Sequence, residues 1–108
     1  MAKMEQLQEV WEATDLDGVL SFFTDDYEMR ILHANQTMKG QEARDYLKEM
    51  VLDEGTVSSD FRIIYQNADC AVTYERMTGE FNGQCSIVQL WRGSKVYYHE
   101  ISLIEDPK

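Results

Sequence analysis

The sequence predicts an α+β fold in which helices from the N-terminal half pack on the concave face of a curved, mainly antiparallel sheet. Apolar residues at helical spacing are confined to residues 2–52, and four strand-like runs follow between residues 61 and 104. Helices followed by a meander of long strands are typical of this class. No repeat, linker or low-complexity tract divides the chain, so we expect residues 1–108 to form a single domain.

The first half is predicted to hold the helices and one strand. In the first helix, Leu7 and Trp11 share an apolar face while glutamates occupy the other. Asp15 is a suitable N-cap for the second helix, and Gly40 precedes a third helix whose apolar stripe includes Leu47. We predict helices at residues 2–13, 16–23 and 41–52 and a strand at residues 27–32.

The second half is predicted to be strand and turn. Its runs are rich in Val, Ile, Tyr, Thr and Trp, the residues that favour strands. Asn82-Gly83 is a strong hairpin signal, and Gly93-Ser94 supplies a second two-residue connection. The predicted strands cover residues 61–66, 71–80, 84–92 and 95–104.

These two turns predict which strand residues share a face, because directly opposed residues of an antiparallel pair point the same way. The more aliphatic set is expected to form the concave, helix-facing wall: Thr73, Glu75, Met77, Ser86, Val88, Leu90, Tyr97, His99, Ile101 and Leu103. The convex face is expected to carry Tyr74, Arg76, Thr78, Cys85, Ile87, Gln89, Trp91, Val96, Tyr98, Glu100 and Ser102. A bulge at either hairpin would exchange part of this assignment.

Composition limits the partners and the cellular location. The formal charge of -10 argues against nucleic acid and against an anionic membrane, since both bind clustered Lys and Arg. No apolar run is long enough to span a bilayer and the N-terminal pattern is unlike a secretory signal, so we expect a cytoplasmic protein. In a reducing compartment Cys70 and Cys85 are expected to be free thiols.

Two motifs and their spacing carry a family resemblance. Asp15-Leu16-Asp17-Gly18 reads as a capped helix start, and Gly40-Gln41-Glu42-Ala43 opens the next long helix after a turn and a strand. With the later Ser94-Lys95-Val96 turn, where relatives usually carry Gly-Lys-Ile, this order resembles the nuclear-transport-factor-2-like superfamily. The superfamily includes ketosteroid isomerases and SnoaL-like polyketide cyclases. The resemblance implies a cone-shaped barrel.

The resemblance also implies where catalytic residues would lie. Ketosteroid isomerases use a strand carboxylate as base and a tyrosine with a protonated aspartate as oxyanion donors. The matching positions here are Ile31, Leu7 and Gln89, so those roles are unfilled. SnoaL-like cyclases carry a His-x-Asp pair on the last strand; His99 matches the histidine, but Ile101 replaces the aspartate.

His99 and Glu75 remain as the candidate catalytic residues. A histidine on the concave wall could act as a base, and a desolvated Glu75 with a raised pKa could act as an acid. Alternatively, His99 is a structural residue and Glu75 pairs with Arg62. His33 is expected near the mouth of the cone, and we predict no metal site and no cofactor because no ligand cluster, phosphate loop or dinucleotide motif is present.

Three functions follow as hypotheses. The first is a small domain whose conical cavity binds a compact, mostly apolar organic ligand. The second is a cofactor-independent isomerase, dehydratase or cyclase, and the third is a protein-interaction module with a filled cone. The expected ligand-binding residues are Trp11, Phe23, Ile31, His33, Leu47, Met77, Val88, Leu90, Tyr97 and Ile101.

A homodimer is predicted through the convex face of the sheet. Large aromatic and apolar residues mixed with charged ones on one face are typical of an interface. The expected contact residues are Tyr74, Ile87, Trp91, Val96 and Tyr98.

Overall fold

A computed structural model describes residues 3–107, which form three α-helices and one mixed sheet. The helices are α1 (Lys3–Glu12), α2 (Leu16–Leu20) and α3 (Gln41–Leu52). The strands are β1 (Phe23–Ile31), β2 (Gln36–Lys39), β3 (Thr56–Gln66), β4 (Cys70–Gly79), β5 (Gly83–Arg92) and β6 (Lys95–Glu105). Ala2, where the first helix was predicted to begin, lies outside the described residues.

The six strands form one open, curved sheet in the order β2-β1-β6-β5-β4-β3. β1 and β6 run parallel, and all other neighbours are antiparallel. Residues of α1 and α3 lie over one face of this sheet and share a buried core with it. The predicted α+β class and the helix-covered concave face are therefore confirmed.

The short helix α2 begins where predicted and ends earlier. The Asp15 carboxylate accepts a hydrogen bond from the Gly18 amide at 3.0 Å, which caps the first turn. The helix stops at Leu20, and Phe23 starts β1, where it pairs with Val96 of β6. Strand pairing outweighs the helical pattern at Phe23 because the pairing buries its ring almost completely.

β2 is an element that the sequence pattern did not predict. A single 3-10 turn, Leu32–Ala34, follows β1, and Asn35 adopts a left-handed conformation with φ of 50°. This reverses the chain, so that Gln36 opposes Ile31 and Met38 opposes Met29. Met38 is the only buried residue of β2, which explains why a hydrophobic pattern was not visible.

The first hairpin differs from its prediction. Met77 opposes Gly83, so residues 78–82 form a longer connection instead of a two-residue turn at Asn82-Gly83. The Asn82 side chain hydrogen-bonds both the amide and the carbonyl of Gly79, at 3.4 and 3.0 Å. Gly79, with φ of 111°, supplies the left-handed turn residue, whereas Gly83 lies in β5. A side chain on Gly83 would collide with the Ile104 carbonyl.

The second hairpin has the predicted turn and then a bulge. Arg92 opposes Lys95 and Trp91 opposes Val96, but Leu90 opposes Tyr98. Tyr97 is thus the additional residue on β6. Beyond Tyr97, each β6 residue opposes a β5 residue one position later than it would in a ladder without the bulge. His99 therefore opposes Gln89 instead of Val88.

Together the two hairpins reverse the predicted faces of β5 and leave those of β4 and β6 largely intact. The prediction that Val88, Leu90 and Tyr97 belong to the concave wall was wrong, because these residues lie on the opposite side from the cavity. The concave face instead receives Cys85, Ile87 and Gln89.

Two predicted interface residues are core residues. Trp91 is 5% exposed and packs edge-on against the Phe22 ring, with 6.3 Å between ring centroids. Val96 is fully buried, and its amide donates to the Phe22 carbonyl at 2.7 Å. With Ile87 on the concave wall, only Tyr74 and Tyr98 of the predicted contact set remain on the convex face.

Cys70 and Cys85 are both free thiols. Their strand partners are Leu90 and Glu75, respectively, so the two cysteines lie at different levels of the β4–β5 ladder. In residues 3–107, no helix has the length and apolar character needed to cross a membrane.

Candidate functional site

A cavity of about 460 Å³ lies between the helices and the concave face of the sheet. Trp11 of α1 and Tyr46 and Met50 of α3 line one side. The sheet lines the other side with residues of β1, β4, β5 and β6: Ile31, Thr73, Glu75, Met77, Cys85, Ile87, Gln89, His99, Ile101 and Leu103.

Strand direction distinguishes a mouth from a deep end. β1, β4 and β6 run in one direction, and β3 and β5 run in the other. We call the end of the cavity at which β1, β4 and β6 finish the mouth. The exposed lining residues at this end are Glu12, His33, Asp53 and Ser58. His99 and Gln89 lie further from this end, in the row of the sheet that also contains Met29 and Ala71.

His99 lies beside two aromatic rings at the deep end of the cavity. Its side chain is fully buried, and its ring centroid is 5.7 Å from that of Phe23 and 6.4 Å from that of Tyr27. The Tyr27 hydroxyl donates to the Ala43 carbonyl of α3 at 3.2 Å, and no hydrogen bond joins this hydroxyl to the imidazole. Neither ring nitrogen of His99 has a hydrogen-bond partner among the described residues.

Gln89 lies directly opposite His99 on β5, and it too has a buried polar atom without a hydrogen-bond partner among the described residues. Its side chain is 2% exposed, and its carbonyl oxygen Oε1 also has no hydrogen-bond partner among the described residues. Buried polar groups in folded proteins are nearly always paired, and an unpaired one costs about 1–3 kcal/mol. The cavity wall therefore carries two neighbouring polar residues whose hydrogen-bonding capacity the described residues leave unsatisfied.

Burial also determines the charge of His99. Loss of hydration lowers its pKa from 6.5 to about 4. The imidazole is therefore neutral near pH 7, with one nitrogen able to donate a hydrogen bond and the other able to accept one.

Glu75 lies near the mouth. The Ser58 hydroxyl donates to its carboxylate at 2.6 Å. Burial raises the pKa of Glu75, and the negative charge of Glu12 adds to this, whereas the Ser58 bond opposes it. The alternative of a Glu75–Arg62 pair is wrong, because Arg62 pairs with Asp60 at 3.6 Å and stacks on the Tyr74 ring.

His99 and Glu75 do not form a close acid–base pair. Glu75 opposes Cys85, whereas the row of His99 continues through Gln89 to Ala71. At the usual rise per strand residue, Glu75 is displaced by roughly 13 Å along the sheet from that row. The two groups face the same cavity from different depths.

The remaining predicted ligand-binding residues divide into three groups. The cavity lining includes Trp11, Ile31, His33, Met77 and Ile101. Phe23 and Leu47 lie behind the wall in the buried core, at 1% and 0% exposure. Val88, Leu90 and Tyr97 are on the other side of the sheet.

Several lining residues were missed because their signals were weak or misread. Gln89 and Cys85 were placed on the wrong face by the assumed hairpin register. Phe61 and Phe81 also line the cavity, from β3 and from the loop before β5. The match of Gln89 to the oxyanion-donor position of the isomerases was the available clue, since that role requires a side chain inside the cavity.

The positions that match isomerase catalytic residues contain apolar or amide side chains. Ile31 and Gln89 line the cavity, and Leu7 is fully buried in α1. Ile101 follows His99 on the same wall. Within residues 3–107, no group of three His, Cys, Asp or Glu side chains is arranged to hold a metal ion.

Comparison with known families identifies one domain over nearly the whole chain. The family model described as a SnoaL-like domain matches residues 4–103. Among curated proteins, none matches this sequence with significant similarity.

Solved structures share this fold at low sequence identity. A candidate ketosteroid isomerase from Kribbella flavida DSM 17836 superposes with a TM-score of 0.77 at 11% identity, covering 98% of this chain and 78% of that one. A protein from Sphaerobacter thermophilus gives 0.74 at 13% identity, covering 96% and 94%. A SnoaL-like protein of unknown function from Burkholderia thailandensis E264 gives 0.68 at 18% identity, covering 93% and 89%. At these identities the similarity shows the fold alone.

Proposed function

Because the chain belongs to the SnoaL-like family, we propose that its cavity binds a compact, mostly apolar organic molecule whose neutral polar group is held by Gln89 and His99. The supporting observation is that Gln89 and His99 oppose each other at the deep end of the cavity, where Gln89 Oε1 and both His99 ring nitrogens are buried without a hydrogen-bond partner among the described residues. A volume of about 460 Å³ is within the usual range of small-molecule sites.

The chemistry of the pair favours a hydroxyl-bearing ligand. Gln89 Oε1 can only accept a hydrogen bond, and the neutral imidazole of His99 can both donate and accept. A hydroxyl placed between them donates to Gln89 Oε1 and accepts from the N–H of His99. An anionic group at the same point would meet the unpaired Gln89 oxygen without a positive charge to offset its desolvation.

The walls around this pair favour an apolar body. Ile31, Ile87 and Ile101 form one row of the sheet beside the His99 row. On the opposite side, Trp11 of α1 and Met50 of α3 line the cavity. The volume of the cavity argues against the alternative of a filled cone that serves only as an interaction module.

Calorimetric titration with biphenyl-4-ylmethanol and its hydrocarbon analogue 4-methylbiphenyl tests the proposal. The wild type is expected to bind the alcohol more tightly. Gln89→Leu should weaken alcohol binding about tenfold, since a hydrogen bond to a desolvated partner is lost, and should leave the hydrocarbon unaffected. Gln84→Leu, on the same strand but exposed, is the matched control. Equal binding of the alcohol to all three proteins would contradict the proposal.

Proton transfer by His99 is the second candidate function. The supporting observation is that the buried His99 ring faces the cavity, and burial lowers its pKa so that the ring is neutral near pH 7. Since Glu75 lies at a different depth, the enzyme proposal uses His99 as base and Gln89 as its polar neighbour, without Glu75 as the acid for the same atom. For a substrate once found, His99→Ala should abolish turnover in a folded protein, whereas a binding role predicts only a weaker affinity.

We also propose a homodimer through the convex face, with a corrected contact set. The partly buried residues Val72, Val88 and Leu90 form an apolar center there, next to Tyr74 and Tyr98. The polar rim includes Arg30, Arg76 and Glu100. An apolar center with a charged rim is the usual composition of such an interface.

A further inference from the structure

The mouth of the cavity has one sign of charge. Glu12, Asp53 and Glu75 line it, and no lysine or arginine is present among the described lining residues. The chain as a whole carries a formal charge of -10, so the surrounding potential attracts cations toward this opening. A carboxylate ligand entering here would be repelled, and a neutral one would gain nothing from these groups.

Glu75 is a carboxylate near the mouth that lacks a positively charged partner among the described residues. Its side chain extends from β4 into the cavity and receives one hydrogen bond, from Ser58. The residue opposite Glu75 on β5 is the buried Cys85. Among the described residues, no cationic side chain forms an ion pair with Glu75. Burial and the neighbouring Glu12 both raise the pKa of Glu75, so a positive charge at this point would relieve both effects.

Aromatic rings complete the surroundings of the mouth. Trp11 precedes Glu12 on α1, and Phe61 and Phe81 line the cavity from β3 and the β4–β5 connection. Aromatic faces attract organic ammonium groups through the ring quadrupole, and the attraction strengthens when water is excluded.

We propose that the natural ligand is an organic amine whose ammonium group binds at the mouth against Glu75, while its apolar body spans the cavity and its neutral polar group reaches Gln89 and His99. This inference rests on the proposed function, because it assigns the charge of the ligand that occupies the same cavity. Support for a ligand that does not depend on the acidic residues comes from Gln89 and His99 at the deep end. Both are more than nine-tenths buried, and Gln89 Oε1 and the His99 ring nitrogens have no hydrogen-bond partner among the described residues. Glu75 then determines specificity for an ammonium group over a carboxylate or a hydroxyl at the mouth, whereas Gln89 and His99 select the hydroxyl at the deep end.

A series of three probes with one skeleton tests the inference at pH 7. Calorimetric titration compares three biphenyls that all carry a 4′-hydroxymethyl group for the deep end and differ at position 4: an aminomethyl group (the amine), a second hydroxymethyl group (the alcohol) or a carboxylate. The amine is expected to bind the wild type at least about tenfold more tightly than the alcohol, because a charged hydrogen bond is formed with a partly buried carboxylate. The carboxylate should bind most weakly.

Three variants locate the effect. Glu75→Gln should remove the preference for the amine while retaining alcohol binding. Glu49→Gln changes the net charge equally on the exposed surface of α3, and it should keep the preference. If Glu75→Gln does not fold, as judged by its thermal unfolding, Glu12→Gln replaces it, since Glu12 is exposed and should reduce the preference in part.

The outcomes separate this inference from the proposed function. Equal affinity for the amine and the alcohol, or an amine preference that is unchanged in the cavity variant tested, overturns the amine assignment and leaves the cavity function intact. Absence of binding by all three probes contradicts the cavity function and the amine assignment together.

Discussion

Gln89 and His99 face each other across the β5–β6 pair, and the Gln89 carbonyl oxygen and both His99 ring nitrogens are buried without a protein partner among the described residues. The pairing exists because Tyr97 is accommodated as a bulge, which moves His99 by one position relative to β5. Without the bulge His99 would oppose Val88, and the deep end of the cavity would hold a single polar side chain.

Replacing Gln89 by Leu should stabilise the protein in the absence of ligand. The variant removes a desolvated carbonyl oxygen and keeps a side chain of comparable volume, so the free energy of unfolding should rise by about 1 kcal/mol. Denaturant unfolding of the two proteins measures the difference. Loss of stability would mean that Gln89 Oε1 has a hydrogen-bond partner in the native protein, and the case for a ligand at this point would fail.

The pH dependence of stability should report the burial of His99. Because its pKa is about 4 in the folded protein and 6.5 in the unfolded chain, the unfolded state binds more protons between these values. The contribution of His99 is therefore lost as the pH falls from 6.5 to 4, by on the order of 3 kcal/mol in total. Glu75 acts in the opposite direction, since its pKa is raised by burial and its protonation favours the folded state.

Comparison with His99→Leu isolates this effect, because Glu75 contributes to both proteins. The difference in the free energy of unfolding between the variant and the wild type should grow as the pH is lowered from 7 to 4. His33→Gln, which removes the exposed imidazole, serves as control. A difference that does not change with pH would place His99 in contact with water.

The helices and the antiparallel meander from β3 to β6 could be predicted because local signals agree with the tertiary structure. The helix α3 has the predicted bounds, and Asp15 caps α2 as expected. The extent of β1 could not be predicted in this way, since pairing with β6 draws Phe23 out of the helical pattern. β2 was invisible because Met38 is its only buried residue.

The candidate site was predicted only in part, because it depends on the strand register. Asn82-Gly83 has the composition of a two-residue turn, but Gly83 is needed within β5 for its close approach to Ile104. Register is set by such long-range contacts, and a displacement by an odd number of residues reverses a face. His99 and Glu75 were placed on the correct wall, while Gln89 was not.

Thiol reactivity provides a direct test of the β5 register. Burial raises the pKa of Cys85 to about 12, and the charge of Glu75 contributes to this. In the native protein at pH 8, Cys85 should therefore react with an aromatic disulfide reagent at least about a hundredfold more slowly than the partly exposed Cys70. The single variants Cys70→Ser and Cys85→Ser assign the two rates. Equal rates would show that Cys85 faces the solvent.

The homodimer proposal predicts that sedimentation at micromolar concentration shows a species with twice the mass of one chain. Leu90→Glu introduces a charge at the apolar center of the convex face and should yield monomers. Gln6→Glu adds the same charge on the exposed side of α1 and should remain dimeric. A monomeric wild type, or a dimer that tolerates Leu90→Glu, would disprove the proposed interface.

The central claim, that Gln89 and His99 hold the polar group of a ligand, is tested most directly by NMR of the ¹⁵N-labelled histidine rings during titration with biphenyl-4-ylmethanol. His33 lies at the mouth and His99 at the deep end, so the two rings report on entry and on full insertion, respectively. We expect a saturable shift of the His99 ring nitrogens that Gln89→Leu diminishes. Unchanged His99 ring signals at a concentration that saturates binding by calorimetry would contradict the claim.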